Sequence, residues 1–265
     1  MKDTVIGCYN YINEDNRLTY NQARKVEYLT NLYYIQKMVR KGIRILDCSC
    51  GTGAYIFDLW ELGAKVFAYD LTPKHISILN KKIKNRNIKN IITGVADATD
   101  LSLFQDNYFD MVLCMGALYH LLSEQEQRLC IKECKRVAKY GGVLFFSYLN
   151  RSSIFPYVLQ KIDLLSQDIV DEFFSNKKTE FGKDKYCFFT DSYYHIPEEI
   201  ESIILEEKLS ILNHVGSDGL TFCYEKYVNQ LTDEQFMTWM KYHMLICEQK
   251  SLIGASHHGL VIAKK

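Results

Sequence analysis

Residues Asp47 to Gly53 read DCSCGTG, an acid followed by two cysteines around a serine and two glycines around a threonine. These types can hold a metal, form a disulfide, or cradle a phosphate or a nucleoside. Gly51 and Gly53 lack Cβ, so the backbone there can lie directly against a ligand and leave amides free at a helix start. Asp70 comes 70 − 47 = 23 residues after Asp47. A carboxylate at that distance can accept both hydroxyl hydrogens of a ribose. A dinucleotide loop counted from Gly51 would need glycine at position 56, where Ile56 stands, and the GK[ST] of a phosphate-binding P-loop is absent. The pattern points to a nucleoside.

Positioning such a loop takes a strand before it and a helix after it. The run IRILDCS is apolar without alternation, as expected of a parallel strand covered on both faces. Upstream, Thr19 and Gln22 resemble a capping box that opens a helix of about 20 residues leading to Gly42. Downstream, a helix over 54–62 closed by Gly63, strand KVFAYD, a helix over 73–86 opened by Thr72 and Pro73, strand IITGVAD and strand FDMVLCMG follow in turn. Ser123 and Glu126 open a further helix, ended by Gly141-Gly142 before strand VLFFSYLN. Helices alternating with buried strands imply an α/β fold built on a doubly wound, Rossmann-like parallel sheet, whose ligands bind at the carboxyl ends of the strands. The rhythm breaks after Asn150. Four regions are expected: an N-terminal lid segment and helix (1–41), a cofactor-binding core (42–150), an inserted cap (151–195), and a C-terminal part of the core sheet with a helical insertion (196–265). In the last of these, a Pro197 helix, strand LSILNHV, a helix from Thr232 and strand GLVIAKK follow one another.

Bulk composition narrows the function. With 265 residues, 48% of them hydrophobic, the chain can bury a sizeable core. Lys plus Arg and Asp plus Glu both total 32, so no global field recruits nucleic acid or an acidic membrane. No uninterrupted apolar run reaches membrane-spanning length and no charged leader precedes an apolar one, so a cytoplasmic protein is expected. The nine cysteines are scattered through core segments, as reduced thiols would be. Cys48 and Cys50 have no second CxC or CxxC, and Cys130 and Cys134 lie one helical turn apart, where packing is the default reading. No metal site is expected.

Several motifs in order resemble the class I S-adenosylmethionine-dependent methyltransferases of the type 11 kind. ILDCSCGTG resembles their first motif, Asp70 their ribose-binding acid, and Asp97 in GVADATDL the acid that binds the adenine amino group, backed by Ala98. FDMVLCMGALYHLL resembles the fourth-strand motif, and CKRVAKYGGVLFF the helix, glycine turn and fifth strand. EDNRL, GALYHLL and GASHHGLVIAKK resemble features of a bacterial branch with a GALYHL-type motif. The likeness covers about residues 20–150 and the last strand. The chain departs from the pattern at Ser49, commonly glycine, and at Tyr140, commonly proline.

The resemblance implies a seven-stranded sheet with the last strand antiparallel, S-adenosyl-L-methionine as cofactor, and methyl transfer to a small-molecule acceptor by in-line displacement. It implies a cofactor set of Asp47, Ser49, Gly51, Gly53, Asp70, Leu71, Asp97, Ala98 and Met115. Tyr11, covering the sulfonium, and Arg17, pairing with the methionine carboxylate, are added from the leading segment. His120 beside Tyr119 is the expected catalytic pair, because an acceptor that must lose a proton needs a base titrating near neutrality. An aromatic cluster of Tyr186, Phe188, Phe189, Tyr193 and Tyr194 closed by His195 is the expected substrate wall, joined by Tyr148 and His258. Two other readings remain: an RNA methyltransferase using the basic stretches NKKIKNRNIKN and SNKKTEFGKDK, and a non-catalytic cofactor-binding protein. The acceptor atom and the oligomeric state are not legible.

Overall fold

The computed structural model describes residues 2–159, 165–183, 187 and 189–265. Tyr186 and Phe188 of the expected aromatic wall lie outside them. The sheet begins with β1 (Arg44–Asp47), β2 (Lys65–Asp70), β3 (Ile91–Val95), β4 (Phe109–Cys114) and β5 (Ala138–Asn150), all parallel. It is completed by β8 (Ser210–Gly216) and β9 (His258–Lys264), and β9 runs antiparallel between β5 and β8. The seven strands thus stand in the order β3-β2-β1-β4-β5-β9-β8. A strand whose chain needs no crossover helix back to the sheet can enter antiparallel, which is what GLVIAKK does.

Two short strands extend this frame. Leu149 pairs with His258 of β9 on one edge and with Tyr194 of β7 (Ser192–His195) on the other, so β7 takes the edge of β5 that β4 leaves free. β6 (Lys178–Thr179) pairs antiparallel with β7. The end of the segment 151–195 is therefore built into the sheet.

Both faces are covered. Leu144 and Phe146 of β5 point to one core with Ile131 and Val137 of α5 (Glu124–Val137) and Ile200 and Ile204 of α8 (Pro197–Glu206). Phe145, between them, points to the other core with Ile35 of α2 (Gln22–Met38), Leu59 of α3 (Ile56–Glu61) and Leu79 of α4 (Pro73–Asn85). Each such buried side chain contributes about 1.5–3 kcal/mol. The period of two along β5 divides the layers.

Local chemistry sets the boundaries. Pro73 stands in the first turn of α4, where its missing N–H costs nothing, and Ser123 caps α5 by accepting from the Glu126 amide. The expected capping box at Thr19 is corrected: Asn21 caps α2, its side chain accepting from the Arg24 amide, and Thr19 sits in the preceding turn. An unexpected helix, α1 (Lys2–Tyr11), precedes it.

Candidate active site

The cavity lies where the sequence places it, at the carboxyl ends of β1 to β4, with a volume of about 380 Å³. That is enough for a small ligand. Its floor is the loop after β1. Gly51 and Gly53 have φ of +53° and +95°, and a Cβ on Gly53 would meet Leu79 Cδ1 at 2.6 Å. Both conformations strongly favour glycine. Ser49, where the family commonly has glycine, accepts a 2.9 Å hydrogen bond from the Gly116 amide and ties the β1 loop to the β4 loop.

Asp70 ends β2 with its carboxylate turned back on the loop. Its Oδ2 accepts from the Gly51 amide at 2.8 Å, while Oδ1 accepts from the Thr72 amide at 2.8 Å and faces His75 Nδ1 at 3.0 Å. A carboxylate has about four acceptor sites, so one remains for a ligand hydroxyl. The other ring nitrogen of His75 is buried, has no hydrogen-bond partner, and belongs to a residue lining the cavity. A buried polar atom of this kind calls for a ligand partner. Asp70 and His75 together fit the hydroxyls of a ribose.

Asp97 follows β3. Burial tends to raise its carboxyl pKa, but the Lys2 ammonium and the Thr99 amide and hydroxyl outweigh this and hold it below the usual range. Asp47 behaves oppositely. Burial, with Asp70 nearby, pushes it up to about 8 although it accepts from the Ser49 amide, so it carries a proton at neutral pH.

The catalytic candidates come from the short 3₁₀ turn Leu118–His120 after β4. His120 Nδ1 lies 2.8 Å from the Asp191 carbonyl oxygen, and Nε2 lies 3.0 Å from the Tyr9 hydroxyl. A carbonyl only accepts, so Nδ1 carries the proton. Desolvation lowers the His120 pKa to about 4, so the ring is neutral near pH 7. Nε2 is then a bare lone pair receiving the Tyr9 hydroxyl. Tyr119 lines the same cavity, its own hydroxyl pKa raised by burial.

Of the expected residues, Arg17, Asp47, Ser49, Gly51, Gly53, Asp70, Leu71, Asp97, Ala98, Met115, Tyr119 and His120 line this one cavity. Arg17 donates from Nε to Glu14 Oε1 at 2.5 Å and stands 3.7 Å from Glu27. Tyr11 does not line it: at the end of α1 its side chain is 93% exposed. Tyr9, two residues earlier, faces inward instead, and its ring meets those of His75, His120 and Phe189 edge-on at centroid distances of 4.9, 5.7 and 5.1 Å.

The expected substrate wall does not converge here. Phe189 meets the Tyr9 ring and is not among the residues that line the cavity. Tyr148 is fully buried and bonds His214 Nε2 at 2.7 Å. Tyr194 packs with Leu149, Ile154, Val158 and Ile169 behind Tyr119. His195 is 1% exposed beside the rings of Tyr148 and Tyr193. His258 is held 2.8 Å from Asp218, whose other oxygen accepts from Ser256 and from the His257 and His258 amides. That lattice fixes the start of β9. Sequence reasoning missed Tyr9, His75, Lys2 and Glu27 as cavity residues. Only the placement of His75 one turn into a helix after Asp70 offered a local signal.

A family profile described as a methyltransferase domain matches residues 46–146. That stretch of the chain is similar to a methyltransferase domain. S-adenosylmethionine is the cofactor that goes with this domain, and the loop, Asp70 and His75 suit its nucleoside. Over 120 residues the chain is 32% identical to a ubiquinone biosynthesis O-methyltransferase of Xanthomonas oryzae pv. oryzae, an alignment covering 45% of this chain and 48% of that protein. The chain thus spans about half the length of the curated relatives it matches. A SAM-dependent methyltransferase of Methanosarcina mazei superposes with a TM-score of 0.59 at 17% identity, covering 88% of this chain and 96% of that one. The geranyl diphosphate C-methyltransferase of Streptomyces coelicolor, solved with Mg2+, geranyl diphosphate and S-adenosyl-L-homocysteine, gives 0.54 at 15% identity, covering 89% and 80%. Likeness at that identity speaks to the fold alone. Among the described residues no helix is long and apolar enough to cross a membrane.

Proposed function

We propose that this protein is an S-adenosylmethionine-dependent methyltransferase acting in the cytoplasm on a hydroxyl group of a small molecule, with His120 as the general base. The observation that carries this reading is the Tyr9 hydroxyl on the bare Nε2 of His120. A phenolic O–H held against an unprotonated imidazole nitrogen is the arrangement an acceptor hydroxyl needs in order to give up its proton. S-adenosylmethionine supplies a methyl group already activated on a sulfonium.

The chain's own task is positioning and proton removal. The β1 loop, Asp70 and His75 would hold the nucleoside of the cofactor, Asp97 its adenine, and Arg17 its methionine carboxylate. His120 Nε2 takes the acceptor proton, while Nδ1–H to the Asp191 carbonyl keeps the ring turned toward the cavity. For the acceptor, Tyr9 has to yield its place. Lid helix α1 carries Tyr9 and is fastened at both ends, by Lys2 to Asp97 and by Lys74 Nζ, which donates to the Tyr9, Asn10 and Ile12 carbonyls at 3.2, 2.6 and 3.3 Å. Among the described residues no cysteine is in a disulfide, in keeping with a reducing compartment. The activity of the O-methyltransferase relatives supports an oxygen acceptor.

The test is incubation with methyl-labelled cofactor and a cell extract, fractionated into small molecules, RNA and protein. Label is expected in the small-molecule fraction as a methyl ether. Label confined to RNA, or on nitrogen or sulfur, would remove the reading.

A further inference from the structure

The nine cysteines include four that the fold brings to one place although the sequence spreads them over 87 positions (48 to 134). Cys48 follows the last residue of β1 and Cys114 is the last of β4. These strands are neighbours with Asp47 opposite Leu113, so the next residues, Cys48 and Cys114, stand side by side. Cys130 and Cys134 lie one turn apart on α5 and point back at them. The sulfurs of Cys48 and Cys134 are 3.9 Å apart, and those of Cys114 and Cys130 are 3.7 Å apart. The sulfurs of Cys48, Cys114 and Cys134 all lie within 4.8 Å of one another.

We infer that Cys48, Cys114 and Cys134 form a thiolate site for zinc beneath the cofactor loop, with Cys130 against Cys114 at its edge. Zinc bound tetrahedrally by sulfur at about 2.3 Å implies sulfur–sulfur edges of about 3.8 Å; the Cys48–Cys134 pair at 3.9 Å matches one such edge, and Cys114 lies within 4.8 Å of both. The expectation against a metal rested on the spacing of Cys48 and Cys50 and on packing as the default for Cys130 and Cys134. Cys50 is not a member; its partner is the Gly51 carbonyl.

Access and consequence follow from Cys48. It alone of the four lines the cavity, so an ion reaches the site from the cofactor side. The thiol protons leave to solvent as the metal–sulfur bonds form, so binding strengthens with pH. A bound ion would tie the β1 loop, the end of β4 and α5 together, fixing the floor on which the cofactor rests.

The experiment is titration of the reduced, metal-stripped full chain with Co2+ under anaerobic conditions, followed by Zn2+. Thiolate-to-cobalt charge-transfer absorption with visible bands of tetrahedral Co2+ is expected, saturating at one ion per chain and erased by Zn2+, with Zn2+ raising the melting temperature. Cys134→Ala should lose the tetrahedral bands and Cys223→Ala should keep them. Absence of charge-transfer absorption in the wild-type protein would overturn the site, which requires no folded variant. Bands that survive Cys134→Ala would overturn it as well. Both readouts are independent of methyl transfer.

Discussion

The Tyr9 hydroxyl lies 3.0 Å from Nε2 of His120, across 111 positions of sequence. It joins the lid helix to the turn after β4 and occupies the lone pair assigned to the acceptor. Tyr9→Phe therefore removes a competitor. A hydrogen bond of this kind contributes about 1 kcal/mol, so the acceptor KM should fall by roughly fivefold while the melting temperature drops slightly. Steady-state kinetics checks it. An unchanged KM with a collapsed kcat would instead make Tyr9 part of the chemistry.

His120→Gln should keep the turn after β4 while removing the base. A loss of roughly 10²- to 10⁴-fold in kcat is expected, the usual share of general base catalysis, with calorimetric affinity for S-adenosylhomocysteine unchanged. Normal turnover in this variant would cancel the assignment.

Acidity offers a separate check. His120 is pushed down to about 4 by burial, so the acid limb of kcat/KM should fall near 4 rather than at the ordinary 6.5 of histidine. Burial also lowers His195 and His243 to about 4. Because these folded-state values are depressed, the unfolded chain binds protons first on acidification. Stability should decline from about pH 6.5 toward pH 4, by up to roughly 3 kcal/mol per histidine. Denaturant melts across that window read the sign directly, and a stability that rises on acidification would contradict the burial of all three.

Gly53→Ala should be costly despite adding one carbon. At φ of +95° its Cβ would press on Leu79 at 2.6 Å, for a loss of about 1–3 kcal/mol. Thermal melts should show it, with weaker cofactor binding because the β1 loop has to move. Gly7→Ala is the control: nothing lies within 4 Å of its Cβ.

How much the sequence could tell depended on how local the signal was. Strands β1 to β5 announce themselves by short apolar runs between glycine turns, and Asp70 and Asp97 stand at strand ends, so their convergence follows from the parallel order. Tyr11 was the wrong tyrosine because α1 has little amphipathic pattern, and its inward face was set by Lys2, Lys74 and His120, all tertiary partners. Tyr148, His195 and His258 look like site residues by type. Their direction is set by the pleat of β5 and by Asp218, which no spacing reveals. The four thiols show the same limit: β1 and β4 become neighbours only in the folded sheet.

Calorimetry with S-adenosylmethionine and S-adenosylhomocysteine on the wild-type protein and on Asp70→Ala tests the core of this account. Both compounds should bind the wild type in a one-to-one ratio, and the variant should bind about 10- to 100-fold more weakly, the worth of a hydrogen bond to a charged group. No heat with either compound, or equal affinity in the folded variant, would contradict a nucleoside held at the end of β2.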